Sequence, residues 1–146
     1  MMTLIVLVVS LLVFRGLGVL GVPLFLTWHD SVLWALSVMV LFTASAHFTA
    51  LKEDLIKMVP RVFPAPRQIV FITGLLEIAG AVGLLIPPLR TAAGICLALL
   101  FVAMFPANIN AARRQVPLRG RPATPLWLRL PMQILFIVLA VWIALG

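Results

Sequence analysis

The sequence predicts an all-α protein, a polytopic bundle of four or five transmembrane helices, and three observations carry that prediction. Five apolar stretches reach or approach the length of about twenty residues that a helix needs to cross the hydrocarbon core. They are residues 2–26, 31–50, 68–87, 91–108 and 126–145. Hydrophobic residues make up 64% of the 146, against roughly 45–50% in soluble chains; a soluble domain this small would have to expose the excess as apolar patches. Only 10% of residues are charged, and the basic ones gather in short loops between the apolar stretches. Strand-type alternation is absent, and a membrane barrel needs far more segments. The length fits one domain, residues 1–146.

Each element has its own reasons. The first stretch lacks a basic leader and runs on past Arg15, and the triplet Ala44-Ser45-Ala46 lies too deep to be a cleavage site. It is read as retained, not as a signal peptide. Arg15 stands in its middle, followed by Gly16, Gly18, Gly21 and Pro23, which weaken or kink a helix. Two readings stay open: a full span with a break, or a shorter span followed by an irregular piece packed in protein. After the second span, Leu51, Leu55, Met58 and Val59 recur at helical spacing with Lys52, Glu53, Asp54 and Lys57 between them. This predicts an amphipathic helix in the interface over residues 51–59. Pro60 ends it, and Pro64 and Pro66 set the turn into the third span. Pro106 lies near the end of the fourth span, where its ring kinks the helix and frees carbonyls. The stretch from Arg119 to Pro125 reads as loop, and Pro131 is tolerable in the first turns of the last helix.

The net charge of +7 is a topology signal rather than a nucleic-acid footprint, because basic loops beside apolar spans orient a membrane protein and touch anionic lipid. Lys52, Lys57, Arg61 and Arg67 fall in the loop 51–67; Arg113, Arg114, Arg119, Arg121 and Arg129 fall in the loop 109–125 or at the edge of the last span. Only Arg90, with Asp30 and His29, falls on the other side. Both basic loops are therefore expected in the cytoplasm. No nucleic-acid partner is expected; the bilayer is. The single cysteine, Cys96, lies in an apolar run, cannot form a CxxC pair and weakens any dithiol mechanism. No metal is expected either, since His29 and His47 are predicted on opposite faces and no cysteine cluster exists.

Polar residues inside the spans mark the candidate site. Glu77 lies nine residues beyond Gln68, roughly 13 Å into the membrane, at a depth where Arg15 could meet it. It is half of a structural ion pair, or a protonated carboxyl hydrogen-bonded to a neighbouring helix, or a carboxyl that binds a ligand or carries a proton. His47 near the end of the second span is either interfacial or a proton carrier or ligand contact. Asn108 and Asn110 end the fourth span at the same level, and Gln133 lies early in the last. The cluster His47, Glu77, Asn108 and Gln133 would converge only if the last four spans pack as one bundle. Thr73, Gly74, Gly80, Ala81 and Gly83 around Glu77 are small enough to admit another helix closely.

The order of short motifs resembles the DoxX family of integral membrane proteins. Ala46-His47-Phe48 and Asp54-Leu55-Ile56-Lys57-Met58-Val59-Pro60 are similar to its front half. Thr73-Gly74-Leu75-Leu76-Glu77-Ile78-Ala79-Gly80-Ala81-Val82-Gly83-Leu84-Leu85-Ile86 resembles its most recognisable segment. Phe105-Pro106-Ala107-Asn108-Ile109 and Pro125-Leu126-Trp127-Leu128-Arg129-Leu130-Pro131-Met132-Gln133 resemble its later half, and the likeness covers about residues 42–135. It implies a four-helix core with the first stretch as an extra N-terminal span. It also implies an association with thiosulfate:quinone oxidoreductase and membrane redox complexes, or, as in distant animal relatives, with receptor assembly. The expected function is a redox-associated accessory subunit of a bacterial inner membrane, binding a quinone or similar amphipathic ligand within the bundle. Its ligand-binding or proton-handling candidates are His47, Glu77, Asn108, Gln133 and Arg15, and its expected partners are a membrane-associated oxidoreductase and further copies of itself in a homo-oligomer. The alternatives are a non-enzymatic membrane scaffold or assembly factor and a small-solute permease.

Overall fold

The computed structural model describes residues 2–118, 120–122 and 124–146, so Arg119 of the second basic loop lies outside the described residues. The first stretch forms α1, Met2–Val19, and stops there rather than at residue 26. The cause is a Schellman motif: Gly21 takes φ +89°, Gly21 N–H donates to the Gly18 carbonyl (3.1 Å) and Val22 N–H to that of Leu17 (3.0 Å). A 3₁₀ turn, Pro23–Phe25, follows and buries Phe25 against Phe14 and Trp34. The shorter span of the second sequence reading is observed, but the irregular piece that follows is not packed throughout: Phe25 is buried, while Leu20, Leu24 and Leu26 stay exposed.

Thr27 opens α2, Trp28–Ser45, by accepting the Asp30 N–H at 3.0 Å, a cap that satisfies an orphan donor of the first turn. Ser31 and Ser37 lie buried along α2, and both return their hydroxyl protons to carbonyls, Ser37 to Leu33 at 2.9 Å. That keeps their polarity out of the apolar core. The helix tightens into a 3₁₀ turn at Ala46–Phe48. The predicted interfacial helix is α3, Lys52–Met58. Next come α4, Pro66–Leu85, and, after a proline-rich turn, α5, Arg90–Ala103. The fourth span does not end at residue 108. It breaks at Met104 and resumes as α6, Phe105–Arg113, with Pro106 in its first turn, where a missing N–H costs nothing. Leu118 and Arg121 exchange backbone hydrogen bonds in the loop that follows, and α7, Leu126–Leu145, closes the chain.

Among the described residues, five helical segments, with α5 and α6 counted as one bent span, are long and apolar enough to cross a bilayer, and the protein is a membrane protein built as an all-α bundle. Helix α2 packs on α4, α4 on α5, α5 on α7, and α7 returns to α2; α1 lies outside this ring against α2. The core between them holds Leu33, Leu36, Met39, Leu84, Leu97 and Ile143, each no more than 2% exposed. Outward-facing Leu12, Leu75, Leu99 and Val138 are exposed, as a lipid solvent requires. Close approach is set by small residues: Gly80 sits under Leu97, and a methyl group at Gly94 would stand 2.7 Å from the Ala140 carbonyl. The small-residue face of α4 is thus filled by the chain's own helices.

Candidate functional site

The 3₁₀ turn at the end of α2 points His47 into the bundle, where it is 4% exposed. Its Nδ1 lies 2.6 Å from the Val70 carbonyl of α4. A carbonyl can only accept, so Nδ1 carries the proton and Nε2 faces the other way. Nε2 looks at Glu77, 3.7 Å from its Oε2, an ion-pair separation too long for a direct hydrogen bond. Glu77 is 2% exposed, and the Thr43 hydroxyl lies 3.2 Å from the same oxygen and 2.8 Å from the Val40 carbonyl. Thr73, one turn before Glu77, donates to the Ile69 carbonyl at 2.9 Å and stands 3.4 Å from His47 Nδ1. The result is a buried imidazole–carboxyl pair bracketed by two hydroxyls.

A second polar group spans α5, α6 and α7. Arg129 donates to Asn108 Oδ1 (3.0 Å), Asn108 Nδ2 to Gln133 Oε1 (3.0 Å), and Gln133 Nε2 to the Phe101 carbonyl (2.6 Å). The direction of this chain is fixed from both ends. A guanidinium can only donate and a carbonyl only accept, so each amide between them has one orientation. Its terminus falls at the break in the fourth span. Phe101 lies in the last turn of α5 before Met104, where Pro106 interrupts the helix, and Gln133 meets its carbonyl there.

Between the two groups lies a pocket of about 220 Å³. Its polar lining is His47 and Thr73 on the side of α2 and α4 and Asn108 on the side of α6. Leu55, Met58 and Val59 of α3 and its flank complete the wall, and Asn110 pins α3 there by donating to the Met58 carbonyl at 2.8 Å. Exposed Phe63, Ala103 and Pro106 rim it. The pocket is smaller than the roughly 300–1,000 Å³ of drug-sized ligand sites.

Four of the five sequence candidates therefore gather at one end of the bundle: His47 with Glu77, and Asn108 with Gln133. Arg15 does not join them. Because α1 ends at Val19, Arg15 falls in the penultimate turn of α1, donates to the Leu26 carbonyl at 3.0 Å and lies over the Trp28 ring at 4.9 Å. Trp28 begins α2 and His47 follows its end, so the Arg15–Glu77 pair does not form. Sequence reasoning missed Thr43 as a partner of Glu77 and Arg129 as the head of the amide chain. The only signal was spacing, since Thr43 stands four residues before His47 and Arg129 four before Gln133, and it does not name Glu77 or Asn108 as the partner.

A family model described as a domain of unknown function (DUF8561) matches residues 36–144. No curated protein and no solved structure matches the chain. The matched stretch begins inside α2 and takes in the pocket, the histidine–carboxyl pair and the amide chain, and leaves α1 out.

Proposed function

The chain belongs to the DUF8561 family, and we propose that it is a redox-associated membrane subunit that holds the head group of an isoprenoid quinone, or a similar amphipathic ring compound, in the pocket beside His47. The observation that carries this is the pocket itself. An apolar cavity of about 220 Å³ meets three polar side chains, with a buried imidazole–carboxyl pair directly behind one of them. A quinone head group needs that combination: apolar walls for its ring, a few fixed polar contacts for its oxygens, and a titratable group for the protons that accompany its reduction. Asn108 uses one of its two amide hydrogens on Gln133 and has the second to donate. His47 and Glu77 are the proton-handling pair, with Glu77 the deeper of the two.

The motif likeness to the DoxX family points the same way, toward a membrane-associated oxidoreductase as the partner. It also favours a bacterial inner membrane, with the loops 51–67 and 109–125 on the cytoplasmic side by their excess of Lys and Arg. The scaffold alternative loses its main support, because Gly74, Gly80 and Gly83 meet His47, Leu97 and Ala93 of the same chain.

The test is to quantify quinone in lipid extracts of protein purified in mild detergent. His47→Leu and Asn108→Leu are expected to lower retained quinone by roughly tenfold or more, the scale of losing a specific polar contact. Arg15→Gln, at the far end of α2, is expected to leave it unchanged. Equal retention in all variants, with folding verified by thermal melting, would sink the reading.

A further inference from the structure

A second surface feature lies outside the pocket. Lys52 begins α3, and Arg67 and Gln68 stand in the first turn of α4; with Phe71 and Ile72 they line an open groove of about 260 Å³. We propose that this groove is a binding site for one anionic phospholipid, with its phosphate between Lys52 and Arg67 and an acyl chain along Phe71 and Ile72.

The order of the groups along α4 carries the assignment. Phe71 follows Arg67 and Ile72 follows Gln68 by four residues, so the apolar pair lies about 6 Å further into the bilayer on the same face. Both are lipid-facing, 45% and 53% exposed. Polar head above apolar tail is the layout of a lipid along the membrane normal. Phe71 is braced by Phe48, whose ring lies 5.8 Å away and nearly perpendicular, so the apolar floor is held in place.

Charge favours an anion over a zwitterion. Arg67 pairs with Glu53 at 3.5 Å, but both side chains are mostly exposed, 73% and 58%, and such pairs contribute little and exchange readily. A phosphodiester can therefore replace Glu53 as the partner of Arg67 while Lys52 supplies the second cation and Gln68 an amide donor. Basic side chains at this level attract anionic head groups. Free inorganic phosphate would leave Phe71 and Ile72 without a role.

The experiment is native mass spectrometry of the purified full chain, titrated with phosphatidylglycerol or with phosphatidylcholine of the same acyl chains. Preferential retention of phosphatidylglycerol is expected, undisturbed by excess inorganic phosphate. In the double variant Lys52→Gln/Arg67→Gln that preference is expected to fall roughly tenfold or more. The control Arg113→Gln/Arg114→Gln removes the same charge from two exposed positions elsewhere and is expected to keep the preference. No preference in the unaltered chain, an unchanged preference in the Lys52/Arg67 variant, an equal loss in the control, or displacement by phosphate would each overturn the site. Arg67, Arg113 and Arg114 are exposed and Lys52 is half-buried, and thermal melting is expected to confirm that the variants fold.

Discussion

His47 can turn into the bundle because Gly74 has no side chain. A methyl group there would stand 2.5 Å from the His47 Cβ and 2.8 Å from its Cγ, so the imidazole and α4 cannot both keep their places around an alanine. Gly74→Ala is expected to cost about 1–3 kcal/mol, the range for overpacking a tight interior. It is also expected to lower retained ligand, since the displaced ring lines the pocket; a melting curve and a lipid extract of the same sample check the two effects. The polar members of the site were legible in the sequence for a plain reason. His47, Glu77, Asn108 and Gln133 are polar groups in apolar surroundings, and each needs a partner. Their partners were harder to see. A helical threonine such as Thr43 ordinarily satisfies itself on its own carbonyls, and Arg129 at the start of a span looks like a loop charge. Only the folded bundle turns the first toward Glu77 and the second toward Asn108.

At the scale of elements, the end of α1 decides more than its length. Gly21 at φ +89° lets the chain reverse before residue 26, and that reversal carries Arg15 away from Glu77. The sequence marked Gly16, Gly18, Gly21 and Pro23 as weak points without saying which would act. The choice rests on hydrogen bonds from Gly21 and Val22 to the Gly18 and Leu17 carbonyls, a glycine-ended motif that any of the three glycines could have closed by local preference alone. Gly21→Val is expected to destabilise the α1–α2 junction by about 1–2 kcal/mol, the cost of a left-handed backbone for a residue with a Cβ. Circular dichroism melting checks the loss. Ligand retention is expected to stay at the level of the unaltered protein, because the junction is remote from the pocket. The break at Met104 was legible as a kink at Pro106, but not its use, because a freed carbonyl gains a meaning only when another helix brings a donor such as Gln133 to it.

For the molecule as a whole, the count of spans and the loop charges were legible because a bilayer imposes one length and one backbone rule on every segment. The packing order was not, since lipid is as apolar as the core and gives no hydrophobic preference for one neighbour over another. Orientation remains a matter of counting Lys and Arg, and it is directly testable. In a Cys96→Ala background, single cysteines at Val62 and Gln115 are expected to react with a membrane-impermeant thiol reagent from the cytoplasmic side. A cysteine at Gly21 or Leu89 is expected to react from the opposite side. Labelling of Val62 and Gln115 from different sides would overturn the topology.

Phe63, Ala103 and Pro106, which rim the pocket, have a consequence for how an occupant arrives. Ala103 and Pro106 are exposed on the bent span that α5 and α6 form, so the proposed site would open sideways toward lipid rather than into bulk water. A ligand with a hydrocarbon tail can then slide in sideways while the tail stays among the lipids. Its search is two-dimensional, and occupancy follows its mole fraction in the membrane rather than its molarity in the buffer. Diluting such a sample with water leaves the site filled; diluting it with empty lipid drains it.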